Sequence, residues 1–101
     1  MAGAAPFDDG DDALAVAERW MEEGRELAVA TIVAGEGTAA PLVGRRLIVD
    51  AGGAVCGALG HGPVEEAARE AAAAVIASGG PRLLDFGLPG GHACLYVERL
   101  G

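Results

Sequence analysis

The strongest constraint on the fold is an alanine-rich segment from Pro63 to Ser78, which has a glycine directly before it and another directly after it. Its apolar residues recur at three- and four-residue spacing with charged residues between them, which is the pattern of an amphipathic α-helix. Proline suits the first turn of a helix, and Gly79, Gly80 and Pro81 prevent the helix from continuing. Apolar runs precede and follow this segment, so we expect the helix to connect two strands of a sheet.

Shorter patterns predict the other elements. Residues 13–23 carry an apolar stripe that includes Trp20, which predicts a first helix with Asp11 or Asp12 as its N-cap. Apolar runs predict strands over residues 27–33, 46–49, 54–58, 82–86 and 93–99, the second and third forming a hairpin. Only one connection in this αββαββ order is a helical crossover. We therefore predict an α/β or α+β domain with two helices and a mixed sheet of about five strands.

Length and composition limit the organisation of the chain. Its 101 residues suffice for one hydrophobic core, and we expect residues 11–101 to form a single domain after a flexible acidic N-terminus over residues 1–10. Aromatic residues make up only 4% of the chain, so the core must be built from Val, Leu, Ile and Ala. Such small side chains allow helices and strands to pack closely.

The charge balance argues against nucleic acid as a partner. Acidic residues number 15 against 7 basic ones, the net charge is −8, and the longest basic run is the pair Arg45-Arg46. A nucleic-acid-binding surface needs clustered basic side chains. The sequence also has no signal-peptide pattern and no run approaching about 18 apolar residues, so we expect a cytoplasmic protein that does not bind membranes.

Two cysteines and two histidines are the candidate reactive side chains. Cys56 and Cys94 lie in apolar runs without C-x-x-C spacing and are predicted to be buried, small apolar residues. His61 and His92 lie nearby, but the set lacks zinc-finger spacing, and no metal site is predicted. Either histidine could act as a general base in its glycine-rich loop. No hydroxyl nucleophile or paired carboxylate accompanies them, so catalysis is the least favoured function.

The glycine-rich loop from Gly57 to Glu66 is the most plausible place for a ligand. It follows an apolar run and opens the second helix, whose first N–H groups attract anions. Glu65 and Glu66 in the first turn would compete with a bound phosphate. An ordinary turn between strand and helix has the same pattern, so the loop alone does not decide between ligand binding and a structural role.

Five segments, in order along the chain, carry a resemblance to a known family. They are residues 28–33 after Trp20, the glycine-containing segment 37–47, the loop 57–65, the strand 80–87 and the closing segment 87–100. Together they resemble the N-terminal domain of the XdhC/CoxI family, maturation factors for molybdenum hydroxylases such as xanthine dehydrogenase and carbon monoxide dehydrogenase. The resemblance implies an accessory protein, not an enzyme, that binds or presents the molybdenum cofactor (molybdopterin) to a molybdenum hydroxylase subunit.

On this resemblance, we expect the cofactor to lie among three glycine loops. Arg46 would pair with the cofactor phosphate, and backbone N–H groups between residues 60 and 64 would surround it. The expected cofactor-binding residues are Gly37, Gly44, Arg46, Gly60, His61, Gly62, Val64, Glu65, Gly90 and Gly91. No catalytic residue and no metal ligand is expected.

The chain also departs from the family pattern. Pro63 and Pro89 stand where the family has cysteines, and Thr38-Ala39-Ala40 replaces a serine-rich loop. Proline can neither ligate molybdenum nor carry a persulfide. Family members often carry a second, Rossmann-type domain, which we do not expect here and which a separate family member would supply. The alternative is therefore a degenerate interaction or scaffold module that pairs with a full-length relative and binds no cofactor. The sequence also leaves open whether the protein forms a homodimer.

Overall fold

The computed structural model describes residues 9–100, with side chains described from residue 15 onward. The helices are α1 (Asp9–Glu22) and α2 (Gly62–Ser78), and a single turn of 3₁₀ helix spans Ala40–Leu42. The strands are β1 (Leu27–Gly37), β2 (Arg46–Asp50), β3 (Val55–Gly57), β4 (Arg82–Leu88) and β5 (Gly91–Leu100).

The five strands form one sheet in the order β3-β2-β1-β5-β4. Every neighbouring pair is antiparallel, including the predicted β2–β3 hairpin. The predicted class, the two helices and the five strands are confirmed, but the expectation of mixed strand directions is wrong. The reason is that α2 connects β3 and β4, which lie at opposite edges of the sheet. The crossover therefore creates no adjacent parallel pair.

The two helices lie on opposite faces of the sheet. Helix α2 packs on β1, β2 and β5 over an aliphatic core. Its fully buried members are mostly small, as the composition predicts: Ala28, Ala30, Ile32, Ala39, Leu59, Ala68, Ala72, Val75, Ala93, Leu95 and Val97. On the other face, α1 contacts β1, β2 and β3 through Ala17, with the half-buried Trp20 against the same cluster. Successive residues of β1 point to opposite faces of the sheet, so the strand contributes side chains to both cores.

The element boundaries differ most from the predicted ones at two places. Helix α1 begins at Asp9, so Asp11 and Asp12 lie inside the helix and the predicted N-cap is wrong. The predicted flexible segment over residues 1–10 lies outside the described residues except for its last two positions. Strand β1 extends to Gly37 because its glycine-containing end pairs with β5 as far as Gly91.

The rest of the α1 side of the sheet, over β4 and β5, carries exposed side chains. Leu83 is the most exposed large apolar residue described, at 63%. It lies in register with Tyr96 of β5, which is in turn in register with Thr31 of β1. In the described range, neither helix is long and apolar enough to span a membrane.

Candidate functional site

The strand directions bring all the predicted site residues to one end of the sheet. Strands β1, β3 and β4 end there, and β2, β5 and α2 begin there. We call this the loop end and define it by three segments: residues 37–45, residues 58–61 and the turn 89–90. Gly62, Val64 and Glu65 belong to the first turn of α2, and Gly91 and Arg46 are the first residues of their strands. The predicted clustering of three glycine loops is therefore present in the fold.

The segment after β1 lies directly against the β4–β5 turn. The Thr38 N–H donates to the Gly90 carbonyl oxygen at 3.1 Å, and the Thr38 hydroxyl donates to the Pro89 carbonyl oxygen at 2.8 Å. Gly37 has φ +61°, and a Cβ at this position would overlap the Gly90 carbonyl oxygen. Only glycine allows the two segments to approach this closely.

The same segment contacts the Gly60 loop on its other side. Gly60 has φ +87°, and a Cβ there would lie 2.8 Å from Leu42 Cδ2. The Arg45 side chain runs past the same point, with Cδ and Nε each 3.6 Å from that Cβ position. Residues 38–45 therefore lie between the β4–β5 turn and the Gly60 loop, and they join the three segments into one surface.

Glu65 stabilises the Gly60 loop from the first turn of α2. Its Oε2 accepts hydrogen bonds from the Leu59 N–H at 2.8 Å and from the Gly60 N–H at 3.3 Å. We expect this carboxylate to compete with a bound anion, and it occupies two of the backbone donors that an anion would use. A ligand at this loop would therefore have to use side chains and the remaining N–H groups.

His61 is the N-cap residue of α2, but its side chain makes no capping hydrogen bond. Its Nδ1 atom is buried and has no hydrogen-bond partner among the described residues. Buried polar atoms are nearly always satisfied in folded proteins, so each exception requires an explanation. An unsatisfied imidazole nitrogen beside a predicted ligand loop is consistent with a group that binds there.

The structure places the two adjacent arginines on opposite sides of the sheet. Leu47 belongs to the core under α2, so the alternation of β2 puts Arg46 on the α1 side, in register with Thr31. Leu59 also belongs to the α2-side core, so the Gly60 loop lies on that side. Arg45 is consequently the arginine beside Gly60. The family motif indicates Arg46, whereas the alternation of side chains around the buried Leu47 separates the two arginines.

The cysteines are less buried than predicted. Both are half-buried, and the Cys94 thiol donates a hydrogen bond to Asp85 Oδ1 at 3.0 Å. His92 Nε2 lies 3.9 Å from the same oxygen, on the exposed part of the sheet. In the part of the chain with described side chains, no group of three or more His, Cys, Asp or Glu residues is arranged to hold a metal ion.

The neighbouring carboxylate makes Cys94 a weaker acid. The hydrogen bond to Asp85, desolvation and the negative charge of Asp85 all raise the pKa of the Cys94 thiol. Replacing Asp85 with Asn removes that charge, so we expect a lower pKa and faster alkylation by iodoacetamide at pH 8. The measurement uses a Cys56→Ala background, in which Cys94 is the only thiol. An unchanged or slower rate in D85N would contradict the assigned role of the carboxylate.

A protein-family model matches residues 20–87, which include most of the sheet, α2 and two of the three loop-end segments. The chain belongs to the XdhC and CoxI family. The resemblance found in the sequence is thereby confirmed. Pro63 and Pro89, which the resemblance sets against cysteines of the family motifs, lie in the first turn of α2 and in the β4–β5 turn.

Comparison with solved structures gives the same fold. A crystal structure described as a xanthine dehydrogenase from Bacillus halodurans matches with a TM-score of 0.74 over 86% of this chain, at 19% sequence identity. This chain spans 30% of the length of that protein. At this identity, the likeness shows the fold alone. No curated protein matches the chain.

Proposed function

We propose that this protein is an accessory factor in the maturation of a molybdenum hydroxylase and that it binds or presents the molybdenum cofactor at the loop end. Family membership supports the maturation role. The observation that carries the binding role is the convergence of three glycine-containing segments at one end of the sheet, where the half-buried Arg45 side chain passes Gly60.

The described residues fit the anionic part of such a cofactor. Arg45 supplies a permanent positive charge beside Gly60. A phosphate group would complement that charge, because a guanidinium group binds phosphate oxygens directly. In this proposal, Gly37, Gly60 and Gly90 let the backbones of the three segments meet, and Glu65 fixes the shape of the central loop.

The same residues do not fit thiolate ligation of the metal. Pro63 and Pro89 occupy the two positions at which the family motifs have cysteine. Cys94 does not replace them, because its thiol is engaged with Asp85 within β4 and β5. Bound cofactor would supply the redox chemistry of molybdenum to the hydroxylase, while this chain would hold it through its organic, anionic portion.

A second candidate function is an interaction module without cofactor. The observation that favours it is the Glu65 carboxylate, which already occupies two backbone donors of the Gly60 loop. On this view, the loop end no longer binds a cofactor. The protein instead contacts the hydroxylase subunit or a separate family member that carries a Rossmann-type domain. The two candidates predict different cofactor contents.

The deciding experiment is the cofactor content of protein purified from a host that synthesises molybdopterin. Pterin is oxidised and quantified by fluorescence, and molybdenum is measured by mass spectrometry. We expect near-stoichiometric pterin in the wild-type chain if it presents the cofactor. Asp85→Asn is the matched control, since it alters a charged residue on β4 outside the three loop-end segments and should leave the content unchanged.

The absence of both pterin and molybdenum from wild-type protein would contradict cofactor binding and favour the interaction module. Binding to the purified apo-hydroxylase, measured by isothermal titration calorimetry, then tests the maturation role separately. An accessory factor of either kind should bind that enzyme. No binding together with no cofactor would overturn the proposed function.

A further inference from the structure

We propose that β4 pairs in antiparallel direction with β4 of a second copy of this chain, about a two-fold axis through Phe86. The pairing joins the two five-stranded sheets edge to edge into one continuous sheet. The proposal goes beyond the proposed function and does not depend on whether the protein binds a cofactor. It gives a specific interface to the homodimer that the sequence leaves open.

The first argument is the free outer edge of β4. All seven residues of β4 pair with β5 in an unbroken register, and no strand of the described chain lies beyond it. Apart from the pairing with β5, no backbone hydrogen bond of β4 is found among the described residues. Alternate residues of an antiparallel strand direct N–H and C=O to the same side, so about half of these groups point away from β5. A regular edge of this length is a template for another strand, whereas the opposite edge, β3, has only three residues.

The second argument selects the register. A two-fold axis pairs residues on the same face of the two strands, so one residue must lie opposite its own copy. An axis at Asp85 would place two carboxylates opposite each other, and an axis at Leu84 would place Leu83 opposite Asp85. Axes nearer either end of β4 shorten the paired segment. An axis at Phe86 places the two phenylalanines opposite each other and Leu84 opposite Leu88. These three side chains are half-buried at the border of the α2-side core, so the pairing brings apolar side chains together across the two copies.

The third argument is charge complementarity on the other face of the same strands. His92 of β5 is in register with Gly87, and a Cβ at Gly87 would have no atom within 4 Å. With the axis at Phe86, Asp85 of the second copy lies opposite Gly87 and approaches His92 over this open space. An imidazole N–H donates to a carboxylate, and His92 Nε2 lies 3.9 Å from Asp85 Oδ1 of its own chain. The two imidazoles therefore offset the repulsion between the two carboxylates.

The pairing also adds a charged side chain to the loop end. Continuing the same register places Arg82 of the second copy opposite Gly90 in the β4–β5 turn. Arg82 is in register with the buried Val97, so its side chain lies on the α2 side of the sheet, as the Gly60 loop does. Each loop end thereby gains an arginine from the other copy.

The main test compares two glycine substitutions of equal charge. Gly87 and Gly80 both have open space at the Cβ position and φ outside the left-handed region, so glutamate at either site should leave the fold of one copy intact. Gly87→Glu would place a carboxylate opposite Asp85 of the second copy, twice in the dimer, whereas Gly80 lies outside β4. Sedimentation velocity from micromolar to millimolar concentration measures the dimer dissociation constant. We expect a concentration-dependent dimer for wild type and Gly80→Glu, and a dissociation constant about tenfold higher for Gly87→Glu.

Disulfide trapping tests the register. In a chain that carries Cys56→Ala and Cys94→Ala, Phe86→Cys should form an intermolecular disulfide on mild oxidation, because residue 86 lies opposite its own copy. Leu83→Cys should not, because the two copies of residue 83 are farther apart along the strands than a disulfide can span. Amide spectra verify folding, and the two glycine variants decide the question if Phe86→Cys does not fold.

Three results would overturn the proposal. The first is wild-type protein that remains monomeric at millimolar concentration. The second is a dimer whose dissociation constant Gly87→Glu leaves unchanged. The third is trapping through Leu83→Cys in place of Phe86→Cys, which would place the interface on the exposed face of the sheet and not on the edge of β4.

Discussion

Replacing Gly37 with alanine is expected to lower the free energy of unfolding by about 4 kcal/mol, because it combines backbone strain with a steric overlap. Gly37 has φ +61°, and its added Cβ would meet the Gly90 carbonyl oxygen and the Gly91 Cα, the latter at 3.1 Å. Both are backbone atoms that cannot move away as a side chain can. The Gly90 carbonyl oxygen also accepts the Thr38 N–H, so relief of the overlap would break a contact between two loop-end segments. Urea denaturation measures the loss.

Gly44→Ala is the matched control for this substitution. Gly44 lies in the same loop with φ +96°, but a Cβ there would have no atom within 4 Å. We expect a loss of about 1 to 2 kcal/mol, which is the backbone strain alone. If the two substitutions cost the same, the close approach of β1 to the β4–β5 turn is not what requires glycine at position 37.

The secondary structure could be predicted largely from local pattern. The end of α2 is an example: Gly79 has φ +83°, and its N–H donates to the Val75 carbonyl oxygen at 2.7 Å, as a glycine stop predicts. Strand direction could not be predicted in the same way. It depends on which strands are neighbours, and no local feature indicates that β5 inserts between β1 and β4. The pairing of β1 with β5 shifts at Val33, which is an extra residue in β1. The apolar run gives no indication of this shift.

The location of the candidate site was more predictable than its side chains. Three glycine loops could be recognised, and antiparallel strands bring their ends together. The choice between Arg45 and Arg46 required the register of β2, and Leu47 in the core would have provided it. The hydrogen bonds of Glu65 could not be derived from spacing, because they depend on how the Gly60 loop folds back on the first turn of α2.

The small residues between α2 and the sheet give the second large expected effect. Ala72 of α2 is fully buried, and three alanines on the sheet side of the same core, Ala28, Ala30 and Ala93, are also fully buried. A helix that packs this closely leaves no space for a branched side chain. Leu at position 72 would force the helix away from the sheet or force neighbouring side chains out of their rotamers. We expect Ala72→Leu to lower the free energy of unfolding by about 3 kcal/mol.

Ala73→Leu separates this packing effect from any change in helix propensity. Ala73 is the next residue on α2 and is exposed, and leucine is nearly as good a helix former as alanine. We expect this control to change stability by no more than about 0.5 kcal/mol. Urea denaturation of the two variants gives the comparison. Equal stabilities would mean that the helix can move outward at little cost. The small side chains would then not determine its distance from the sheet, and with it the position of the first turn that carries Glu65.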